Sequence, residues 1–256
     1  MRDWARAERR VRAVLLKGSL GRGEGDPRSD VDLVVVAEAG QFASLWAERF
    51  AISERLGRPL GLFRDIALWR PPHLAIALYD GPLKVDLWFE EDEVEPSEWL
   101  RSGFAVIHDE AGVADRLRAR LAEVSPPPLD PLHSDLWELD SHAWDFALWI
   151  ERKLSSGDLW LAYLELTKYA ELIVIAAWNA VAGKAWAGTT RLAARLPIAI
   201  QERLATALPQ RVDESELRRS LRELVALYEE ARIALESKLR QPLADELAEQ
   251  VQRIVH

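Results

Sequence analysis

The 256-residue chain contains no cysteine. That excludes a disulfide framework and a thiolate zinc site, and it is compatible with a reducing cytosol. Long apolar runs are missing too. The longest, Leu172 to Trp178, is far short of the roughly 18 residues a membrane span needs, so no membrane partner is expected. The opening stretch, MRDWARAERRVRA, lacks the apolar core of a secretory signal, and a cytoplasmic protein is expected. Positive charge is in deficit: 33 Lys and Arg stand against 42 Asp and Glu, for a formal net charge of −9. A phosphate backbone is repelled overall by such a chain, so nucleic acid is not an expected partner. A cationic small molecule is weakly attracted. Neither HExxH nor GxSxG occurs. Gly18 to Gly23 has the spacing of a Walker A loop, but Glu24 stands where that loop needs its lysine. Gly21-Arg22-Gly23-Glu24-Gly25 is not GxGxxG, which leaves a dinucleotide fold unsupported.

What is present is a globular composition, 49% apolar and 29% charged, with length for one large domain or two small ones. Ser125 to Pro131, SPPPLDP, holds four prolines in seven residues, which no helix can continue through. The boundary falls there, giving domains over 1–124 and 132–256. In the first domain, helical patterns at Trp4 to Val11, Phe42 to Leu56 and Val113 to Glu123 alternate with strands. The strands are Ala13 to Lys17, Val31 to Val36, His73 to Tyr79, Leu83 to Phe89 and Phe104 to Asp109, with a hairpin across Asp80-Gly81-Pro82. The second domain shows helices only: Leu136 to Leu154, Leu159 to Ala182, Asp213 to Leu239 and Leu243 to Ile254. Asp213 with Glu216 makes a capping box, and Leu217, Leu221, Leu224, Tyr228, Ala231 and Leu235 trace one apolar stripe. The expected fold class is α+β, a small mixed-sheet domain followed by an all-α helical bundle.

The densest stretch is KGSLGRGEGDPRSDVDLVVV, Lys17 to Val36. On the strand that begins near Asp30, Asp30 and Asp32 share one face. Adjacent carboxylates repel each other, and a bland sheet face would not choose them. A divalent cation removes the conflict, and magnesium takes hard oxygen ligands together with substrate phosphates. Gly18 and Ser19 follow a strand directly, where backbone N–H groups and a hydroxyl can face an anion. Arg22 is either a triphosphate ligand or a solvated loop charge. The parts suit a magnesium nucleotide.

Gly18-Ser19, ten intervening residues, then Asp30-Val31-Asp32 and an apolar run resembles the polymerase-beta-like nucleotidyltransferase superfamily. That family adds a third acidic residue on a later strand, and LKVDLWF supplies Asp86. Lys84, Asp86 and Trp88 share one face there, opposite Val85, Leu87 and Phe89. GSLGRGEGDPRSDVDL is most similar to the antibiotic nucleotidyltransferases, which modify aminoglycosides or lincosamides. The resemblance implies Asp30, Asp32 and Asp86 as catalytic residues holding two magnesium ions. It implies Gly18 and Ser19 on the β- and γ-phosphates of an NTP, with ATP the expected donor. It also implies a small-molecule hydroxyl acceptor, and it allows a homodimer, because the resembling enzymes often build their cleft between subunits. Asp86 is the first candidate for the base and Glu90 the second. Glu90, Glu91 and Asp92 otherwise read as a solvated acidic loop. Lys168 is either paired with Glu165 or Glu171 or, as the resemblance implies, a second-domain lysine reaching the phosphates. His133 and His142 have no ligand spacing that supports a metal. Trp137, Trp144, Trp149, Trp160, Trp178 and Trp186 read mainly as core. Two other readings stay open: nucleotidylation of a protein partner, and a non-catalytic nucleotide-binding member.

Overall fold

The largely apolar Val11–Lys17 (β1) and the valine-rich Val31–Ala37 (β2) pair as an antiparallel hairpin, with Leu15 opposite Val34. The structure, a computed structural model, describes the chain apart from residues 65–72, 82, 124, 126–127, 130–131, 186–188, 190–191 and 256. The chain divides into two compact units, Met1–Ser125 and Pro126–His256.

Four further strands complete the sheet of the first unit: Gly61–Arg64 (β3), Leu74–Leu78 (β4), Lys84–Glu91 (β5) and Ala105–Asp109 (β6). Their order is β3-β4-β5-β2-β1-β6, and β2 with β5 is its one parallel pair among the described residues. One face packs Val14, Leu33, Val35, Leu87 and Phe89 against Ala5 of helix α1 (Arg2–Ala7), Leu45 of α3 (Phe42–Ala47) and Ile52 of α4 (Arg49–Glu54). A short turn of helix, α2 (Gly18–Gly21), follows β1. The other face packs Ala13, Leu15, Val34 and Val36 against Leu100 of α5 (Glu98–Arg101) and Val113, Leu117 and Leu121 of α6 (Val113–Glu123).

Several boundaries differ from those expected. The first helix stops at Ala7, because Val11 is worth more in the ladder, paired with Ala37 and buried. The helix expected over Phe42 to Leu56 is two, parted at Glu48, whose carboxylate takes a two-point ion pair from Arg10 at 2.7 and 2.9 Å. β4 and β5 form the expected hairpin, with Leu78 opposite Lys84, while Pro82 lies outside the described residues. Glu90 and Glu91 are strand, not loop, because β5 continues its ladder to Val36 and Ala37. Asp92 beyond them is ion-paired to Arg12.

The second unit is helical: α7 (Leu136–Ser155), α8 (Leu159–Tyr169), α9 (Ala176–Val181), α10 (Ile198–Ala207), α11 (Glu214–Leu239) and α12 (Asp245–Val255). A π-helical turn, Ala170–Ile175, joins α8 to α9, so the predicted second helix is present but not uniformly α. Asp213 caps α11 by accepting from the Glu216 N–H at 3.0 Å. The Glu216 carboxylate does not return the bond to Asp213; it accepts from the Gln210 N–H and Arg219 instead. The expected stripe from Leu217 to Leu235 lies inside the core, beside Trp144 and Tyr169. Three expected core tryptophans are largely exposed: Trp137, Trp149 and Trp160. Trp178 donates to the Leu227 carbonyl, and Trp186 lies outside the described residues. No helix among the described residues is long and apolar enough to cross a membrane.

Candidate active site

Strand register decides which side chains meet. Lys17 on β1 lies opposite Asp32 on β2, Asp32 opposite Asp86 on β5, and Asp86 opposite Ile76 on β4. Side chains alternate along each strand, so these four form one row on one face. The next row is Leu15, Val34, Trp88 and Leu74. That row belongs to the covered half of the face, where α6 packs. The aspartates therefore stand at the open end of the face, with apolar packing behind them. Asp30 precedes β2 and is brought to the same place by Lys84, one row outward.

Lys84 Nζ donates to Asp30 Oδ2 at 3.1 Å and to Asp86 Oδ2 at 2.9 Å. Asp86 is only 3% exposed, and its Oδ1 is buried with no hydrogen-bond partner. Burial pushes the Asp32 carboxyl above the usual carboxylate range; Lys17 and Lys84 oppose that, and the charges of Asp86 and Asp30 add to it. Burial disfavours the Lys84 ammonium, but Asp86 and Asp30 more than offset this and raise its pKa. The Lys17 ammonium lies over the Trp88 ring, 3.4 Å from its centroid. Burial also raises Glu90. Glu90 sits two rows beyond Asp86 on the same face, about 13 Å along the strand, with Trp88 between. Glu90 therefore stands apart from Asp32 and Asp86 along the strand.

The loop reaches Asp32 through Gly18. Gly18 has φ +70°, and a Cβ there would overlap Asp32 Oδ2. Ser19 follows in α2, whose backbone accepts from the Arg22 N–H at Gly18 O and from the Glu24 N–H at Ser19 O. Gly18-Ser19 and Asp32 are thus packed side by side. Gly18→Ala should displace the Asp32 carboxylate and strain the turn, costing about 1–2 kcal/mol of stability. The same change should slow transfer by more than about tenfold. A thermal melt and a pyrophosphate-release assay on one preparation check both. Arg22 is held by Glu24 at 2.8 Å and Ser102 Oγ at 3.3 Å. Lys168 belongs to the second unit, where its Nζ donates to Glu165 Oε1 at 2.8 Å. His133 and His142 are bonded to each other, ring nitrogen to ring nitrogen, at 2.8 Å.

The donor set fits a hard divalent cation: carboxylate oxygens only, two of them on paired positions, one buried and unpartnered. The three aspartates do not converge on one point, and no three His, Asp or Glu side chains do so among the described residues. Lys84 bridges Asp30 and Asp86 instead. Lys17 and Lys84 carry no sequence motif. Strand parity places each on the aspartate face, but only the register shows that they flank Asp32 and Asp86.

Residues 3–108 match the family described as nucleotidyltransferase domain, a span that takes in β1 to β5 and nearly all of β6. The match lies within the first unit and covers most of it. Among solved structures, an aminoglycoside 6-adenyltransferase from Bacillus subtilis is similar at 14% identity, over 98% of this chain and 94% of that chain, with TM-score 0.46. A nucleotidyltransferase-like protein from Exiguobacterium sibiricum is similar at 14% identity, over 93% of this chain and 74% of that chain, with TM-score 0.44. No curated protein matches the sequence.

Proposed function

We propose that this nucleotidyltransferase moves a nucleoside monophosphate from an NTP to a hydroxyl of a small, cationic acceptor of the aminoglycoside or lincosamide type. ATP is the expected donor and pyrophosphate the second product. The observation that carries the reading is the pairing of Asp32 with Asp86 beside Gly18, with Asp86 Oδ1 buried and unpartnered. The net charge of −9 favours a cationic acceptor.

Asp32 and Asp86 would hold magnesium, with Asp30 at the outer edge. Magnesium, when bound, supplies charge neutralisation at the phosphoryl group and lowers the acceptor's pKa. The chain's own groups do the rest. Ser19 and the backbone around Gly18 hold the β- and γ-phosphates. The acceptor oxygen forms a bond to the α-phosphorus as the bond to pyrophosphate breaks. The acceptor's proton passes to the Asp86 carboxylate, which lies opposite Asp32 on the same face of the sheet. Positioning and fixed charge supply most of the rate.

The test combines the purified protein, MgCl₂, each of the four NTPs and a panel of aminoglycosides and lincosamides. Pyrophosphate release is followed alongside mass spectrometry of the acceptors. A drug gaining a nucleoside monophosphate is the expected result. No release with any drug, while Mg–NTP still binds, overturns the antibiotic acceptor and leaves the nucleotidyltransferase domain.

A further inference from the structure

Lys84 stands between two of the three aspartates and joins them through one ammonium, at 2.9 and 3.1 Å. The lysine lies on β5 two residues before Asp86, on the same face and one row nearer the open end. Asp86 meets the ammonium with one oxygen only, and its other oxygen has no partner although it is buried. The charge of this carboxylate is thus offset from within the same strand. We propose that Lys84 is the site's resident counter-ion, which holds Asp30 and Asp86 in the metal-free protein and which a divalent cation must displace to bind.

This inference rests on the magnesium reading of the site. An ammonium bonded to Asp30 Oδ2 and Asp86 Oδ2 competes directly with a divalent cation for those oxygens. Lysine suits the exchange, because its charge is compact and its four-carbon stem lets the charge move without the main chain. The side chain is 30% exposed, against 5% for Asp86, so the ammonium has an exit to solvent and the carboxylate has none. A lysine that merely braced the sheet would add to stability and leave metal affinity alone. A competing lysine lowers metal affinity while it stabilises the empty site.

Mn²⁺ titration followed by electron paramagnetic resonance separates these roles in the full-length protein. Lys84→Met should bind Mn²⁺ about tenfold more tightly than wild type, the scale of an ordinary coupling between two ligands. Lys84→Arg, which keeps the charge, should stay near the wild-type affinity. Equal or weaker binding by Lys84→Met, with wild type still binding, overturns the inference and leaves the magnesium reading intact. No Mn²⁺ binding by any of the three proteins overturns the magnesium reading itself, and the inference with it. A second measurement needs no variant. Acetylation of Lys84 in wild type, read by peptide mass spectrometry, should speed up when Mn²⁺ is added. An unchanged or slower rate at saturating Mn²⁺ overturns the displacement.

Discussion

Asp32→Asn should reduce nucleotidyl transfer by about three orders of magnitude, the equivalent of about 4 kcal/mol of transition-state stabilisation. The protein should remain folded, since Asn fills the same space beside Gly18. Without metal, at neutral pH, it should melt at a higher temperature than wild type. The sign follows from the buried carboxyl. Burial raises the Asp32 pKa above its unfolded value, so the ionised form is worse off in the folded protein. Folded stability therefore falls as pH rises from the ordinary carboxylate range through the raised value. Asn removes that penalty. The gap in melting temperature should be widest at neutral pH and should close as pH drops into the ordinary carboxylate range. Pyrophosphate release and melts over this pH series decide the matter. Retained transfer in the variant would sink the assignment of Asp32 to the metal.

The largest stability effect is expected at Asp140, in the second unit. Its Oδ1 accepts from Trp144 Nε1 at 2.9 Å on α7, and from Tyr228 OH at 2.8 Å and Arg232 Nε at 2.9 Å on α11. Arg232 also donates to Asp245 Oδ1 at 3.0 Å, which draws in α12. All four residues of the inner network are buried. Burial raises the Asp140 carboxyl even against these three donors. Asp140→Ala should cost about 3–5 kcal/mol, because it strands a guanidinium, a phenol and an indole N–H together in the core. Asp140→Leu combined with Arg232→Met should recover only part of the loss, since the guanidinium leaves with its partner while the Tyr228 phenol and the Trp144 indole N–H stay unpaired. Urea unfolding followed by far-UV circular dichroism measures both. A loss below about 1 kcal/mol for the alanine variant would mean that the network contributes no more than an exposed ion pair does.

The strands that carry the site were legible because their apolar residues, valines in β2 and Val85, Leu87 and Phe89 in β5, are broken by charges at even spacing. Asp32 and Asp86 stood out for that reason: each is a carboxylate within a strand otherwise built for the core. Alternation also told the faces apart, so Lys84, Asp86 and Trp88 were grouped correctly. What alternation does not tell is the neighbour across the sheet. Lys17 meets Asp32 only through the β1–β2 register, and Asp32 meets Asp86 only through the β2–β5 register. The ion-pair bridge at Lys84 was therefore illegible, although both of its partners were named. β3 was missed because Gly61–Arg64 is four residues long and ends in a charge; its pairing with β4 defines it, not its pattern. Glu90 and Glu91 looked solvated because acidic pairs usually are, yet ladder bonds to β2 hold them in the strand.

The parallel pairing of β2 and β5 also sets when the site can come into being. The β1–β2 hairpin is local and can assemble early, carrying Gly18, Ser19 and Asp32. β5 must dock from far along the chain, since Lys84 lies 54 residues beyond Asp30. Its arrival sets Asp86 against Asp32, one negative charge beside another. The same strand brings Lys84, so repulsion and its neutraliser land in a single event. The charge that β5 brings to the site and the ammonium that offsets it therefore travel on one strand, two residues apart.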